Sequence, residues 1–144
     1  MTVAAILKHK GYDVVSIRPT ASVADASRLL SSRRIGAVIV QDASEQLLGI
    51  LSERDIIHAL AANGPHAMDM TAGQLMTRAL RTVSPRTSVE EAMTIMTAGR
   101  IRHLPVIERG VLIGLVSIGD VVKAKIMQQE HEVDSLRAYV AGAA

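Results

Sequence analysis

Cysteine is absent from the 144 residues. Disulfides, thiolate nucleophiles and Cys-based zinc sites are therefore excluded together. Trp and Phe are absent as well, and Tyr12 and Tyr139 are the only aromatics. That leaves no row of ring platforms on which single-stranded nucleic acid could stack its bases. No apolar run approaches the ~20 residues that a membrane-spanning helix requires. An excess of one charge is also missing: sixteen Lys and Arg against fourteen Asp and Glu give +2, too slight for a non-specific nucleic-acid binder. His9, His58, His66, His103 and His131 are scattered without metal-ligand spacing such as H-x-x-x-H.

What is present is the composition of a soluble globular protein, 49% hydrophobic and 21% charged. The length is about one domain's worth on a scale of ~100–200 residues, enough to bury a core without staples. The start, MTVAAILKHKG, carries its apolar stretch before its lysines, the reverse of a secretory signal. Val3, Ile6 and Leu7 sit at helical spacing and Gly11 is a natural stop. A cytoplasmic location is expected.

The chain matches itself. At an offset of 66, residues 16–40 align with 82–106, with identities at Pro19/Pro85, Ser22/Ser88, Val23/Val89, Ala26/Ala92, Arg34/Arg100, Ile35/Ile101 and Val40/Val106. One residue is then lost in a turn, and at offset 65 Leu47, Gly49, Ser52 and Asp55 match Leu112, Gly114, Ser117 and Asp120. This is a tandem duplication.

Each copy reads as β-α-β-β-α. A short extended piece (14–17; 82–83) leads through Pro19 or Pro85 to a helix with Val23, Ala26, Leu29 and Leu30 on one face, or Val89, Ala92, Ile95 and Met96. Ser88-Val-Glu-Glu91 has the S-x-x-E pattern of a capping box. Two strands follow in each copy (37–40 and 47–51; 104–107 and 111–116), the second pair joined by the Gly-containing turn Glu108-Arg109-Gly110. A last helix starts near Ser52 or Ser117. The predicted organisation is a first repeat with the N-terminal helix over 1–62, a linker over 63–70, a second repeat over 71–127, and a C-terminal helix or tail over 128–144. In that tail Val133, Leu136 and Val140 form a narrow apolar stripe, which needs a surface to lie on. It either packs back on its own domain or makes a homodimer contact.

Each repeat ends in the same constellation: Gly49-Ile-Leu-Ser52-Glu-Arg-Asp55 and Gly114-Leu-Val-Ser117-Ile-Gly-Asp120. As structure alone, this is a helix N-cap with an acid at N3, favourable to the helix dipole. A Ser hydroxyl, an Asp carboxylate and free N–H groups at a helix start equally fit a ribose diol and its phosphate. The strand glycine suits a close approach to the backbone. The copies differ: Arg54 stands where the second has Gly119, and Arg102-His103 stands where the first has Gly36-Ala37. Arg matches phosphate with its planar fork of donors. Arg54 and Arg102 are otherwise solvated surface charges, and His103 a packed imidazole. Arg33 and Arg34 read as a helix C-terminal charge pair, and the seven methionines as core filling.

A duplicated β-α-β-β-α unit ending in G-h-h-[ST]-x-x-D, with h apolar, resembles the cystathionine-β-synthase (CBS) domain pair, or Bateman module. The likeness covers roughly residues 3–127 and is similar to small stand-alone bacterial CBS-pair proteins, through RIRHLPV and GLVSIGDVVKA. It implies an α/β (α+β) fold of two pseudo-symmetric CBS repeats packed through their sheets, with short N-terminal and C-terminal helices. It also implies adenosine-containing ligands such as AMP, ATP, NAD or S-adenosylmethionine, held in clefts between the repeats, and commonly a disc-like homodimer. Carried over, Ser117 and Asp120 would bind ribose in one site, with adenine held by Val14, Val15, Ile35, Gly36 and Ala37 and phosphate reached by Arg102 and His103. The pseudo-symmetric site would use Ser52 and Asp55 for ribose, Arg54 for phosphate, and Leu80, Arg81 and Ile101 around the base.

No Gly-x-Ser-x-Gly elbow, Walker loop or G-x-G-x-x-G follows a strand. Glu53 and Asp55, two apart at a helix start, point to different faces and make a poor acid–base pair. The expectation is a non-enzymatic, ligand-sensing regulatory module for an adenine nucleotide, AMP or NAD(H) first and ATP or ADP next, with no catalytic cofactor and no metal. Its expected partners are that nucleotide, a second copy of the chain and a separate regulated protein, with no membrane and no nucleic acid. The alternative is a structural module for homodimerisation or protein interaction, with degenerate ligand sites.

Overall fold

The computed structural model describes residues 1–143. Its elements run α1 (Val3–Lys10), β1 (Ser16–Ile17), α2 (Val23–Arg33), β2 (Ala37–Gln41), β3 (Leu47–Ser52), α3 (Glu53–Asn63), a 3₁₀ segment (Gly64–Asp69), α4 (Ala72–Leu75), α5 (Val89–Gly99), β4 (His103–Glu108), β5 (Val111–Ser117) and α6 (Ile118–Ala143). The β-α-β-β-α order read from the sequence is present in full in the first copy, and in the second as α-β-β-α with an isolated bridge in place of the leading strand. The chain forms two compact units, one of Met1–Tyr12 with Arg81–Ala144, the other of Asp13–Leu80.

In the Asp13–Leu80 unit, β1 pairs parallel with β2, and β2 antiparallel with β3. Its core joins Val23, Ala26 and Leu30 of α2 to Val38, Val40 and Leu51 of the sheet, with Ile56, Ala72 and Met76. The helix face that the apolar spacing marked is the face buried. Ser22 caps α2, its Oγ accepting from Asp25 N at 3.0 Å. The segment expected as a linker is folded: Ala67 is buried, and Met68 and Met70 lie against this core.

In the other unit, β4 and β5 form an antiparallel hairpin. Arg109 and Gly110 both take positive φ, at 51° and 76°, the signature of a two-residue type I′ turn. The counterpart of β1 shrinks to a bridge at Val83, whose N–H donates to Pro105 O at 3.0 Å and whose carbonyl accepts from Ile107 N at 2.8 Å. Val89, Ala92 and Met96 of α5 pack on Leu104, Val106 and Val116, and Val3, Ile6 and Leu7 of α1 complete that core. Ser88 Oγ accepts from Glu91 N at 3.0 Å, the forward half of the expected capping box.

Sequence repeat and compact unit therefore differ at their edges. The helix that precedes the first repeat in sequence belongs to the unit of the second. Its first N–H groups find the loop before α5: Val3 N donates to Thr87 O (2.8 Å) and Ala4 N to Pro85 O (2.9 Å). The loop before α2 does the same for α4, with Ala72 N on Ala21 O (2.8 Å) and Gly73 N on Pro19 O (2.9 Å). Thr2 bridges Ser88 as Thr71 bridges Ser22. Met1-Thr2 and Met70-Thr71 are thus equivalent positions, three residues out of step with the repeat offset of 66.

The C-terminal helix is not a separate element. α6 runs unbroken through 26 residues, and Val133, Leu136, Tyr139 and Val140 on it are 47%, 64%, 74% and 60% exposed. The stripe does not lie back on its own domain. Among the described residues no helix is long and apolar enough to cross a membrane.

Candidate functional site

Both Ser–Asp constellations stand where a strand hands over to a helix. At the end of β3, Ser52 caps α3: its Oγ accepts from Asp55 N at 3.2 Å, and Asp55 Oδ2 accepts from Ser52 N at 2.9 Å and Ser52 Oγ at 3.0 Å. At the end of β5, Asp120 N donates to Ser117 Oγ at 3.2 Å and Ser117 N to Asp120 Oδ2 at 2.8 Å. Each pair is a reciprocal capping box that satisfies donors the helix leaves orphaned. The structural role of these residues is realised in full.

Hairpin register sets what lies beside each box. His103 is the cross-strand partner of Ser117, and Arg102 O accepts from Ile118 N at 2.8 Å. In the other unit Ala37 is the partner of Ser52, and Gly36 O accepts from Glu53 N at 2.9 Å. Arg102 and His103 are thus brought next to Ser117 and Asp120. Arg54, in the first turn of α3, is exposed beside Ser52 and Asp55. Among the adenine candidates, Val14, Val15, Ile35, Gly36, Ala37 and Leu80 belong to the Asp13–Leu80 unit, whereas Arg81 and Ile101 belong to the other. Val15 and Ile35 are half-buried against their unit's core, and Ile101 against its own.

The structure supplies two residues that the sequence did not suggest. Lys10, at the end of α1, donates from Nζ to Asp120 Oδ2 at 2.6 Å and to Leu115 O at 2.7 Å. Thr77 donates from Oγ1 to Asp55 Oδ1 at 3.1 Å, and its N–H donates to Ile50 O at 2.8 Å. Ile50 and Leu115 are equivalent at offset 65, so one ammonium does in one unit what a hydroxyl and a backbone N–H do in the other. No sequence spacing announces a contact across 110 residues. Burial pushes the Asp120 carboxyl up, but the Lys10 hydrogen bond, the Ser117 donors and the Lys10 charge outweigh it, and the group stays below the usual carboxylate range.

The strand glycines have a different explanation from the one expected. A Cβ on Gly114 would lie 2.7 Å from Leu7 Cδ2, and one on Gly49 would lie 2.7 Å from Thr77 O and 2.8 Å from Met76 Sδ. What approaches the backbone is the protein itself: α1 in one unit and the chain just after α4 in the other. The glycines carry packing and give no independent sign of a ligand.

Comparison with known proteins agrees with this architecture. The CBS domain matches the chain twice, over residues 3–62 and 72–127. The mitochondrial CBS domain-containing protein CBSX3 of Arabidopsis thaliana is 40% identical over 125 residues, covering 84% of this chain and 61% of that protein. This chain therefore spans somewhat under two thirds of that relative's length. The crystal structure of the CBS-domain containing protein ATU1752 from Agrobacterium tumefaciens is 41% identical, with a TM-score of 0.84 over 86% of this chain and 92% of that one. The CBS domain pair of protein MJ0100, solved in complex with 5′-methylthioadenosine and S-adenosyl-L-methionine, shares the fold at 23% identity and a TM-score of 0.78, over 89% of this chain and 98% of that one. With two matched copies filling most of its length, the chain belongs to the CBS domain family.

Proposed function

We propose that the chain is a non-catalytic regulatory module that binds an adenine nucleotide, AMP or NAD(H) in the first place and ATP or ADP next. Ser52 and Asp55, and Ser117 and Asp120, take the ribose. Arg54 in one unit, and Arg102 and His103 in the other, take phosphate, and the adenine ring falls to the family positions named above. The observation that carries the reading is the hairpin register, which sets Arg102 and His103 beside the Ser117–Asp120 box. Acceptor, hydroxyl and phosphate donors are thereby gathered within a few residues. The MJ0100 pair, in complex with two adenosine derivatives, is a precedent within the fold. The exposed stripe on α6 favours a homodimer as the assembly that reports binding.

A second reading, an interaction module with degenerate sites, is favoured by the Ser–Asp boxes themselves, since capping alone accounts for both residues. Thermal unfolding separates the two. Wild type, Asp55→Ala and Asp120→Ala are melted with AMP, ADP, ATP, NAD, NADH and S-adenosylmethionine. A ligand at ~100 times its Kd adds about 2.7 kcal/mol, a shift of several degrees at this size. Each Asp→Ala should weaken binding by about 1.5–3 kcal/mol, the range for hydrogen bonds to a charged group. If nucleotide-free wild type shifts with none of the six, the interaction module is the better reading.

A further inference from the structure

A groove of about 400 Å³ opens between α1 and α6, wholly within the Met1–Tyr12 and Arg81–Ala144 unit. Its apolar wall includes Ile6, Ala124 and Met127, and its polar lining is His9, Lys10, Asp120 and Lys123. The volume lies within the ~300–1,000 Å³ of small-molecule sites, which combine an apolar wall with a few convergent polar groups. Three cationic or protonatable side chains face one carboxylate, and that carboxylate is already paired with Lys10. The cationic capacity of the groove therefore exceeds what the protein itself neutralises. Lys10 also keeps capacity: an ammonium has three donors, and its bonds to Leu115 O and Asp120 Oδ2 use two.

The duplication supplies an internal control. Against Asp55 the corresponding partner is Thr77, a neutral hydroxyl. The cation beside Asp120 is thus a difference between two otherwise parallel capping boxes, and the box does not require it.

We infer that this groove extends the phosphate site, so that Lys10, Lys123 and His9 join Arg102 and His103 in holding the phosphate end of a nucleotide whose ribose lies on Asp120. The inference rests on the ribose reading above and adds to it which side chains select a phosphorylated ligand over the bare nucleoside. The side chains of Lys123 and His9 make no hydrogen bond or ion pair with other described residues, so their removal leaves the capping box intact.

The test is isothermal titration of adenosine and of AMP at pH 7 into wild type, Lys123→Ala, His9→Ala, Lys10→Met, Arg102→Ala and Asp120→Ala. The expected result is that AMP binds wild type more tightly than adenosine does. Lys123→Ala should weaken AMP roughly tenfold while leaving adenosine within about twofold, and Lys10→Met, which also releases Asp120, should weaken AMP more than it weakens adenosine. Should Lys10→Met fold poorly, Lys123→Ala and His9→Ala carry the same test. If AMP binding needs Asp120 but ignores Lys10, Lys123 and His9, or follows Arg102 alone, the groove assignment is overturned and the ribose reading stands. If neither adenosine nor AMP binds wild type, both are overturned.

Discussion

Replacing the two strand glycines with alanine tests directly whether they serve packing or a ligand. At Gly114 the new methyl would meet Leu7 at 2.7 Å (Cδ2), 3.0 Å (Cδ1) and 3.4 Å (Cγ). Leu7 is only 1% exposed, so its end has little room to turn, and such overpacking costs about 1–3 kcal/mol. At Gly49 the obstacle is worse, because the nearest atom is the Thr77 carbonyl oxygen, which accepts from Ile50 N at 3.0 Å. Moving it strains that bond and the return bond from Thr77 N to Ile50 O at 2.8 Å, each worth about 1 kcal/mol. Against this, Gly→Ala stabilises by up to about 1 kcal/mol through the unfolded chain. The net expectation is about 1–2 kcal/mol lost for Gly114→Ala and about 3 kcal/mol for Gly49→Ala.

Urea unfolding measures both, read as a change of midpoint at constant slope. A double-mutant cycle identifies the partner. Leu7→Ala alone should cost about 2–5 kcal/mol. In that background Gly114→Ala should cost close to nothing, a coupling that neighbouring residues show and distant ones do not. The reasoning is refuted if Gly114→Ala costs the same with and without Leu7. It is equally refuted if both glycine variants keep wild-type stability and lose nucleotide affinity, since the close approach would then be the ligand's.

The Lys10–Asp120 pair should stabilise at neutral pH by about 1 kcal/mol, discounted for the partial exposure of Lys10. The Asp120 carboxyl is held below its ordinary value, so this contribution is present above about pH 4 and lost as pH falls through the lowered value. The urea midpoints of wild type and Lys10→Met should therefore separate at pH 7 and converge in acid; a constant gap would place the effect elsewhere. Arg34 ends α2 with φ 54° and ψ 46°, a left-handed conformation that costs an L-residue about 1–2 kcal/mol. Arg34→Gly should accordingly raise the midpoint, by up to about 1 kcal/mol once glycine's own entropy is counted, and a fall would show that the side chain contributes more than the strain. Leu136→Asp with Val140→Asp should convert a dimer to a monomer in light scattering at unchanged helix content, and a surviving dimer would locate its contact away from this end of α6.

Much of the fold was legible because burial follows periodicity. The faces marked by Val23, Ala26 and Leu30, and by Val89, Ala92 and Met96, are the faces in the two cores. Partner choice was not legible. The first helix of the chain has an apolar face whose spacing names no partner; backbone bonds to Pro85 and Thr87, the seat of Leu7 against Gly114 and the Lys10–Asp120 pair assign it to one core. The Met1-Thr2 and Met70-Thr71 equivalence is visible in the sequence. It is a two-residue identity displaced by three from the main offset, too short to stand out before the structure showed matching hydrogen bonds. Residues 63–70 read as a linker, yet the 3₁₀ segment Gly64–Asp69 within them buries Ala67 completely. Of the candidate site, the capping boxes could be placed from spacing alone, whereas Arg102 and His103 were joined to one of them by the family resemblance. Lys10 and Thr77 could be placed by neither, since each acts across a tertiary contact.

Those two residues make the duplicated boxes unequal, and the inequality bears on which would take a ribose. An ionised carboxylate offers about four lone-pair sites on two oxygens. Asp55 spends both oxygens, with two donors from Ser52 on Oδ2 and Thr77 Oγ1 on Oδ1. Asp120 receives Ser117 N and Lys10 Nζ on Oδ2, so Lys10 engages the same oxygen as the box, where Asp55 has the Thr77 hydroxyl on its other oxygen. A diol at Asp55 must therefore compete with Thr77 for Oδ1, a competitor that Asp120 lacks. Breaking that bond costs about 0.5–1.5 kcal/mol, equivalent to roughly a threefold to tenfold weaker site. Titration should then resolve a tighter event that Asp120→Ala removes and a weaker one that Asp55→Ala removes. Thr77→Val, which deletes the competing hydroxyl and keeps the backbone bonds to Ile50, should narrow the gap. If Thr77→Val leaves the weaker event unchanged, competition for Oδ1 is not what separates the two.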